Sequence, residues 1–156
     1  MATSELQQRV LDYLGAHHVA TLATTGSDGP WAAAVFYASD GYTLYFLSSP
    51  TTRHCRNLKQ DPRVAATIQA DCSDWREIKG IQLEGTVSEL AGEEEAQARR
   101  LYAEKFPLVG LLARAPAAIV KALARVRWYR LDPAHLHFID NSTAFGQRDE
   151  IDLGAP

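Results

Sequence analysis

The residues best suited to chemistry lie where a β-rich run meets a helical pattern. The β-rich run ends in Ser48-Ser49, and the helical pattern opens at Pro50 with Thr52 and Arg53 in its first turn. The N–H groups that open a helix are unpaired and carry partial positive charge. Hydroxyls and a guanidinium added there make a good cradle for a phosphate group. The same residues also suit a simpler interpretation, in which Ser49 only caps the helix and Arg53 is a solvated surface residue.

The elements that must position this segment are mostly short strands. Alternating and β-branched patterns predict strands over residues 17–24, 31–39, 42–48, 63–70, 75–90 (one strand, or two joined at Gly80 or Gly85), 125–131 and 136–140. Helical patterns cover residues 4–14, 49–60 and 93–106, with one or two short helices within 108–124 and a loose tail after 148. Short antiparallel strands with hairpin turns, such as the one at Asp40-Gly41, predict a closed or nearly closed barrel.

Composition sets limits on the class of protein. The 156 residues suit one domain over residues 1–156, and the net charge of −3 argues against a nucleic-acid-binding protein. The first ten residues show no apolar core of a signal peptide, so we expect none, and no apolar run is long enough for a membrane span. Cys55 and Cys72 are its only cysteines, which fits a reducing cytoplasm, so we expect a cytoplasmic location.

Histidines and cysteines outside the helix start offer weaker candidates. His135 and His137 share one face of a predicted strand, where a metal or haem would need further ligands, and surface or dimer-contact roles are the simpler interpretation. We therefore predict no metal site. Cys55 lies one turn into the helix at Pro50, and we interpret it as a buried structural cysteine.

The segment from residue 44 to residue 64 resembles the phosphate-binding segment of the pyridoxamine-phosphate-oxidase-like FMN-binding split barrels. In that family a strand ends in Thr or Ser, a Ser/Arg/Lys motif opens a helix, and Asn-Leu and Asp-Pro-Arg-Val-like sequences follow. The matching residues here are Ser48, Thr52-Arg53-His54, Asn57-Leu58 and Asp61-Pro62-Arg63-Val64. Further matches resemble the YhbP-like subgroup of this family, at residues 17–22, Lys105-Phe106-Pro107, Asp140-Asn141 and Phe145-Gly146.

The resemblance implies a mainly β fold, an antiparallel Greek-key split barrel with flanking helices, and an FMN site built from two segments. The residues implied for the FMN phosphate are Ser48, Ser49, Thr52, Arg53 and His54, the last of these where the oxidases usually have Lys. The residues implied for the isoalloxazine ring, largely through their backbone, are Ala33, Ala34, Val35 and Phe36. A run of small residues suits the close approach of a flat ring, and it suits an ordinary packed strand equally well. The resembled proteins are homodimers with two FMN sites at the interface, each built from both subunits.

Departures from the family pattern change the expected activity. Ala33 stands where the oxidases carry a basic residue, and Gly80 stands where a Gln approaches the flavin. Arg130-Leu131-Asp132-Pro133 matches their late Arg-Leu-x-Pro, but His137-Phe138-Ile139 replaces the Glu-Phe-Trp that follows it. The aromatic residue that flanks the flavin is therefore absent, and we do not expect a typical pyridoxamine-phosphate oxidase.

The expected function is FMN binding by a flavin-dependent oxidoreductase that acts on a small molecule. The chain lacks the usual motifs of nucleophilic, zinc and nucleotide-binding sites, which fits a flavoprotein because the cofactor carries the chemistry. Deazaflavin and haem are alternative cofactors. Two alternative functions remain open: a non-enzymatic carrier, store or sensor of flavin or haem, and a cofactor-free dimer that retains only the fold.

Overall fold

The computed structural model describes residues 4–107 and 116–154. Its helices are α1 (Glu5–Ala16), α2 (Arg53–Gln60), α3 (Gly92–Lys105) and α4 (Ala117–Leu123), and a short 3₁₀ turn covers Trp75–Glu77. Its strands are β1 (Val19–Gly26), β2 (Gly29–Phe36), β3 (Ala38–Asp40), β4 (Thr43–Ser48), β5 (Arg63–Gln69), β6 (Lys79–Glu89), β7 (Arg127–Asp140) and β8 (Arg148–Glu150). Of the helices predicted within 108–124, the part over 108–115 lies outside the described residues. No helix in the described ranges is long and apolar enough to cross a bilayer.

The strands form a single antiparallel sheet that curls back on itself. Their order is β2-β1-β5-β6-β7-β4-β3, and β8 pairs with β7. β2 and β3 stand at opposite ends of this order, yet only Tyr37 separates them along the chain. The two ends of the sheet must therefore lie close together, which gives the sheet the shape of an incomplete barrel. The mainly β, antiparallel prediction is confirmed.

The main hydrophobic core fills the inside of this curl. Leu22, Leu44, Phe46, Ile68 and Leu131 are fully buried there, as the alternation of side chains along each strand requires. A second core lies on the other side of the sheet beneath α3, where the largest members are Tyr45, Tyr102 and Trp128. Because consecutive residues of β4 face different cores, both faces of this strand are buried.

Hydrogen bonds stabilise both ends of helix α1. Ser4 and Gln7 form the predicted capping box at its start. At its end, the Lys105 ammonium donates to the carbonyl oxygens of Leu14 (3.3 Å) and His17, and the Tyr37 hydroxyl donates to the same Leu14 oxygen at 2.8 Å. Burial lowers the pKa of Lys105 to about 8. These bonds satisfy carbonyls that a helix end leaves unpaired, so Lys105 joins α1 to α3.

The strand boundaries differ from the predicted ones in several places. The predicted strand over residues 75–90 begins only at Lys79, because Trp75–Glu77 form a 3₁₀ turn. The predicted strand over residues 31–39 is divided at Tyr37 into β2 and β3. The two closing strands predicted around Asp132-Pro133 are one strand, β7, in which a bulge opposite Glu84 and Gly85 absorbs an extra residue. A Cβ on Gly85 would lie 2.1 Å from the Asp132 oxygen, so this close approach requires glycine. The predicted loose tail is also wrong for its first residues, because β8 pairs with β7 and Ile151 is buried.

Candidate functional site

Helix α2 starts three residues later than predicted. The interpretation of Ser49 as its N-cap and Pro50 as its first residue is wrong, because the Thr52 hydroxyl is the group that accepts the Cys55 N–H, at 3.4 Å. The Thr52 N–H donates to the Ser49 oxygen at 3.1 Å. Residues 49–52 therefore form a turn with Pro50 in its second position, where proline is favoured.

Part of the predicted phosphate cradle faces the interior of the protein. The Ser48 hydroxyl lies 2.7 Å from Nε2 of His54, and the Thr52 hydroxyl lies 3.3 Å from the same nitrogen. Ser48 follows Leu44 and Phe46 on the inner face of β4, and His54 is only 8% exposed. These three side chains satisfy one another, so they support the helix start from within.

The other part of the cradle faces outward. The hydroxyls of Ser49 and Thr51 lie 2.9 Å apart on the surface, next to the opening of α2. No acceptor among the described residues pairs with the N–H groups of Arg53 and His54, which are the first two of the helix. An anion placed here would meet two backbone donors and two hydroxyls. The predicted site residues leave out Thr51, although its position next to Thr52 at the helix start was a usable signal.

Arg53 is held at this opening by β2 and the loop before it. Its guanidinium carbon lies 4.3 Å from the centre of the Trp31 ring, and its Nη2 donates to the Asp28 oxygen at 3.1 Å. Its Nε is buried and has no hydrogen-bond partner among the residues that the structure describes. A buried donor without a partner is costly, so the guanidinium has unused capacity for an acceptor such as a phosphate oxygen.

The predicted ring-binding residues lie on β2, an edge strand. The Tyr37 N–H donates to the His18 oxygen, so Tyr37 directs its backbone groups toward β1. Every second residue of an antiparallel strand faces the same neighbour, and the register with β1 is unbroken. Ala33 and Val35 therefore also direct their backbone groups toward β1. The backbone groups of Ala34 and Phe36 therefore point to the free edge, where no strand of the described chain pairs with β2. Of the four predicted residues, these two offer backbone partners to a ligand, while Val35 is buried in the core.

Other residues named from the sequence lie away from this helix start. The Arg130 guanidinium is engaged by Asp132 (2.9 Å) and Glu94 (3.1 Å). Gly80 is buried between β5 and β7, where a Cβ would lie 3.0 Å from the Ile68 oxygen. His135 pairs with Glu150 at 2.9 Å, and this carboxylate raises the pKa of the imidazole. No cluster of three or more metal-ligating side chains occurs in the part of the chain that is described.

Comparison with known proteins decides the family. The family model described as pyridoxamine 5'-phosphate oxidase matches residues 6–140, which is most of the chain. The chain belongs to this family. The family membership predicted from the 44–64 segment is thus confirmed.

Relatives narrow this assignment within the pyridoxamine 5'-phosphate oxidase family. A UPF0306 protein of Photorhabdus laumondii is 31% identical over 150 residues, with 95% of this chain and 96% of that protein covered. The UPF0306 protein YhbP of Escherichia fergusonii is 30% identical over 138 residues, with 87% of this chain and 86% of that protein covered. The predicted resemblance to the YhbP-like subgroup is therefore confirmed.

A solved structure supports the fold assignment. The heme binding protein of Mycobacterium smegmatis superposes with a TM-score of 0.75 at 20% identity, over 98% of this chain. The chain spans 60% of the length of that protein. At this identity the likeness shows the fold alone, and it confirms the split-barrel prediction.

Proposed function

We propose that this protein binds FMN, with the phosphate at the start of α2, and acts as a flavin-dependent oxidoreductase on a small molecule. The observation that carries the proposal is the Arg53 guanidinium, which is fixed over Trp31 beside two open helix N–H groups and keeps a buried Nε without an acceptor among the described residues. Membership of the pyridoxamine 5'-phosphate oxidase family supports the choice of a flavin.

The phosphate would be held by the outward part of the helix start. The N–H groups of Arg53 and His54 would donate to its oxygens, and the hydroxyls of Ser49 and Thr51 lie beside them. Arg53 supplies the full positive charge and the forked geometry that phosphate favours. Ser48, Thr52 and the His54 ring would act indirectly, because their mutual hydrogen bonds fix the shape of this turn.

The ring would lie against the edge of β2. Ala32 and Ala34 leave little side chain above this edge, and Ala34 and Phe36 direct backbone groups toward it. Bound FMN would supply the electron-transfer chemistry, while the protein would set its position. Because the run from Ala32 to Ala34 carries no polar side chain, the ring would have few polar side-chain partners on β2 of this subunit.

The charge at this site is smaller than in the oxidases that the chain resembles. His54 takes the position of their usual Lys, and its ring is buried against Ser48 and Thr52. One full charge, that of Arg53, would therefore face the phosphate instead of two. We therefore expect FMN to bind less tightly than it would with two facing charges.

A homodimer is part of the proposal, and the outer face of the sheet is the surface that suits it. Exposed small residues on β1, β5 and β6, such as Ala23, Ala65 and Thr86, line a groove of about 550 Å³. A second groove of about 520 Å³ shares Ala65 and is lined by charges of both signs, including Arg148 and Glu150. Small residues allow close approach of a second sheet, and mixed charges on a symmetric face can pair with their copies.

The dimer has a direct test in the molar mass measured by light scattering. We expect twice the chain mass of 17.2 kDa for the unmodified protein and a single chain mass for Ala65→Lys. Ala118→Lys, on an exposed position of α4, is the control and should remain dimeric. A monomeric unmodified protein would contradict the proposed dimer but not the proposed phosphate site.

Anaerobic treatment of the FMN-loaded protein with NADH or NADPH distinguishes an oxidoreductase from a flavin carrier. An oxidoreductase should lose its oxidised flavin spectrum within seconds to minutes and recover it when an acceptor is added. Bound flavin that no nicotinamide donor reduces would leave FMN binding intact and support the carrier function. A deazaflavin would use the same phosphate site, and competition with FMN measures its preference.

Haem is the second candidate ligand, and one observation favours it. The exposed His18 ring lies 5.7 Å from Phe106, which lies 5.6 Å from Phe36, a residue that is 58% exposed. An imidazole beside an exposed aromatic surface suits a haem iron and its apolar ring. A Soret band on titration with hemin that disappears in His18→Ala would support this ligand, and unchanged binding in that variant would contradict this site.

A further inference from the structure

The inner side of α2 has a cavity that the proposed FMN site does not use. Cys55 is two residues after Arg53, which places the two side chains on opposite sides of the helix. The cavity has a volume of about 200 Å³. Its floor is formed by the buried residues Cys55, Leu58 and Tyr129, and the exposed Lys59 and Glu89 stand at its mouth. A small molecule entering here would meet the Cys55 thiol.

The surroundings of the Cys55 thiol favour its ionised form. Burial raises the pKa of this thiol, but the polar side chains of His54, Thr52, Tyr129 and Ser48 outweigh burial and lower the pKa to about 7. The position in the first turn of α2 acts in the same direction, because the partial positive charge of a helix start stabilises an anion. The turn that supports the helix start therefore also stabilises a thiolate.

Tyr129 supplies a second group that faces the same cavity. It is only 7% exposed, and its hydroxyl has no oxygen or nitrogen partner among the residues that the structure describes. Burial and, after it, the neighbouring Cys55 thiol raise the pKa of this phenol above its usual value. Tyr129 therefore stays protonated when Cys55 ionises. A nucleophile and a proton donor thus face one small space.

Cys72 cannot be the partner of Cys55. Cys55 shares its cavity with Val87, whose N–H donates to the Pro62 oxygen just before β5, whereas Cys72 follows the end of β5. Seven strand residues at about 3.3 Å each separate these points, and a disulfide needs Cα atoms within about 7 Å. Oxidation of Cys55 would therefore not form a disulfide with Cys72 of the same chain.

We propose that Cys55 is a hydroperoxide-reactive cysteine, with Tyr129 as the proton donor to the leaving oxygen. The thiolate sulfur attacks the terminal peroxide oxygen, the S–O bond forms as the O–O bond breaks, and Cys55 becomes a sulfenic acid. The leaving oxygen takes the Tyr129 proton and departs as water or an alcohol, and solvent returns a proton to the tyrosinate. Two electrons pass from sulfur to the peroxide. The proposal does not rest on FMN binding.

The experiment uses the full-length Cys72→Ser protein, stripped of any flavin and treated with hydrogen peroxide in the presence of dimedone, which traps sulfenic acids. Mass spectrometry of the folded protein should show one adduct, on Cys55, with a rate that is half-maximal near pH 7. At pH 7 about half of this thiol is ionised, against roughly 3% of an ordinary cysteine with a pKa near 8.5. After allowance for the lower nucleophilicity of a less basic thiolate, this difference gives about a threefold faster reaction.

Tyr129→Phe separates proton donation from packing, because it keeps the ring and removes only the hydroxyl. We expect its pH midpoint to move upward and its maximal rate to fall, with unfolding cooperativity unchanged. Cys55→Ser in a chain that keeps Cys72 should show only slow trapping, at Cys72. The proposal is overturned if Cys55 of the folded Cys72→Ser protein stays unmodified, if Cys55 reacts only in denaturant, or if its midpoint is that of an ordinary thiol.

Discussion

The Ser48 hydroxyl and Nε2 of His54 lie 2.7 Å apart on the inner side of the turn that leads into α2. Both residues belong to a segment whose sequence predicts a phosphate cradle, yet they bond to each other and not to the solvent-facing side. The residues of this segment therefore have two different roles. Its inner residues hold the helix start in place, and its outer residues, with Arg53 among them, are available to a ligand.

Arg53→Ala should weaken FMN binding. A hydrogen bond to a charged group is worth about 1.5–3 kcal/mol, so the dissociation constant should rise roughly tenfold to hundredfold. Fluorescence titration with FMN measures the change. Arg56→Ala is the matched control, because Arg56 is an exposed residue of the same helix and its loss should leave the affinity unchanged. Equal affinities in the Arg53→Ala and unmodified proteins would remove this segment from the site.

Ser48→Ala should mainly lower the stability of the fold, whereas Thr51→Val should mainly lower the FMN affinity. Loss of the Ser48 hydroxyl removes the 2.7 Å bond to His54, so the free energy of unfolding should fall by about 1 kcal/mol, while the FMN affinity should fall less than in Thr51→Val because Ser48 acts only through the shape of the turn. Thr51 is exposed, so its replacement should leave stability unchanged and weaken FMN binding by about fivefold, the equivalent of about 1 kcal/mol. A large loss of affinity in Ser48→Ala, with stability intact, would contradict the inward orientation of Ser48.

The start of α2 shows where prediction from sequence reaches its limit. Ser49 and Thr52 are both good capping residues, and Pro50 suits the second position of a turn as well as the first position of a helix. The local sequence cannot choose between these structures. The choice is made by contacts distant in sequence, such as the bond from Arg53 to Asp28.

Other features were predictable because one local pattern determines them. The capping box of Ser4 and Gln7 is a contact over three residues, and the alternation of Ile81, Leu83 and Val87 follows from one buried face of β6. The setting of Cys55 was not predictable in this way. Its partner Tyr129 is 74 positions away on β7, and only the pairing of β4 with β7 brings it to α2.

Gly26→Ala should destabilise the protein. A Cβ at this position would lie 2.1 Å from Oδ1 of Asn57, which is buried and donates from its amide to the Thr24 hydroxyl at 3.1 Å. The side chain of Asn57 must move or lose this bond, at a cost of about 1–3 kcal/mol of unfolding free energy. Chemical denaturation measures it.

Gly15→Ala is the control for this change. Gly15 lies within α1 with open space where a Cβ would be, so alanine there should raise the unfolding free energy by about 0.5–1 kcal/mol. Equal and small effects at the two glycines would mean that Asn57 does not hold its position against β1.

Asp140 should make stability depend on acid pH. Burial raises the pKa of this carboxyl, but the hydroxyl and N–H of Ser142, and then the charges of Lys79 and Arg9, outweigh burial and lower it. The folded-state pKa therefore lies below the unfolded value near 3.9, so the ionised carboxylate stabilises the fold above about pH 4. This contribution is lost as the pH falls through the folded-state pKa.

Urea unfolding of the unmodified and Asp140→Asn proteins between pH 3 and pH 7 tests this dependence. We expect the unmodified protein to be the more stable at pH 7 and the difference to shrink toward pH 3. A difference in unfolding free energy that stays constant over this range would mean that the negative charge of Asp140 does not stabilise the fold.

The most direct test of FMN binding is the visible spectrum of the purified protein after incubation with FMN and rapid gel filtration. We predict flavin absorption bands in the protein fraction at close to one FMN per chain, and their loss in the Arg53→Ala protein. A colourless protein fraction, from a chain that is folded and dimeric, would contradict the proposed function and identify a family member that retains only the fold.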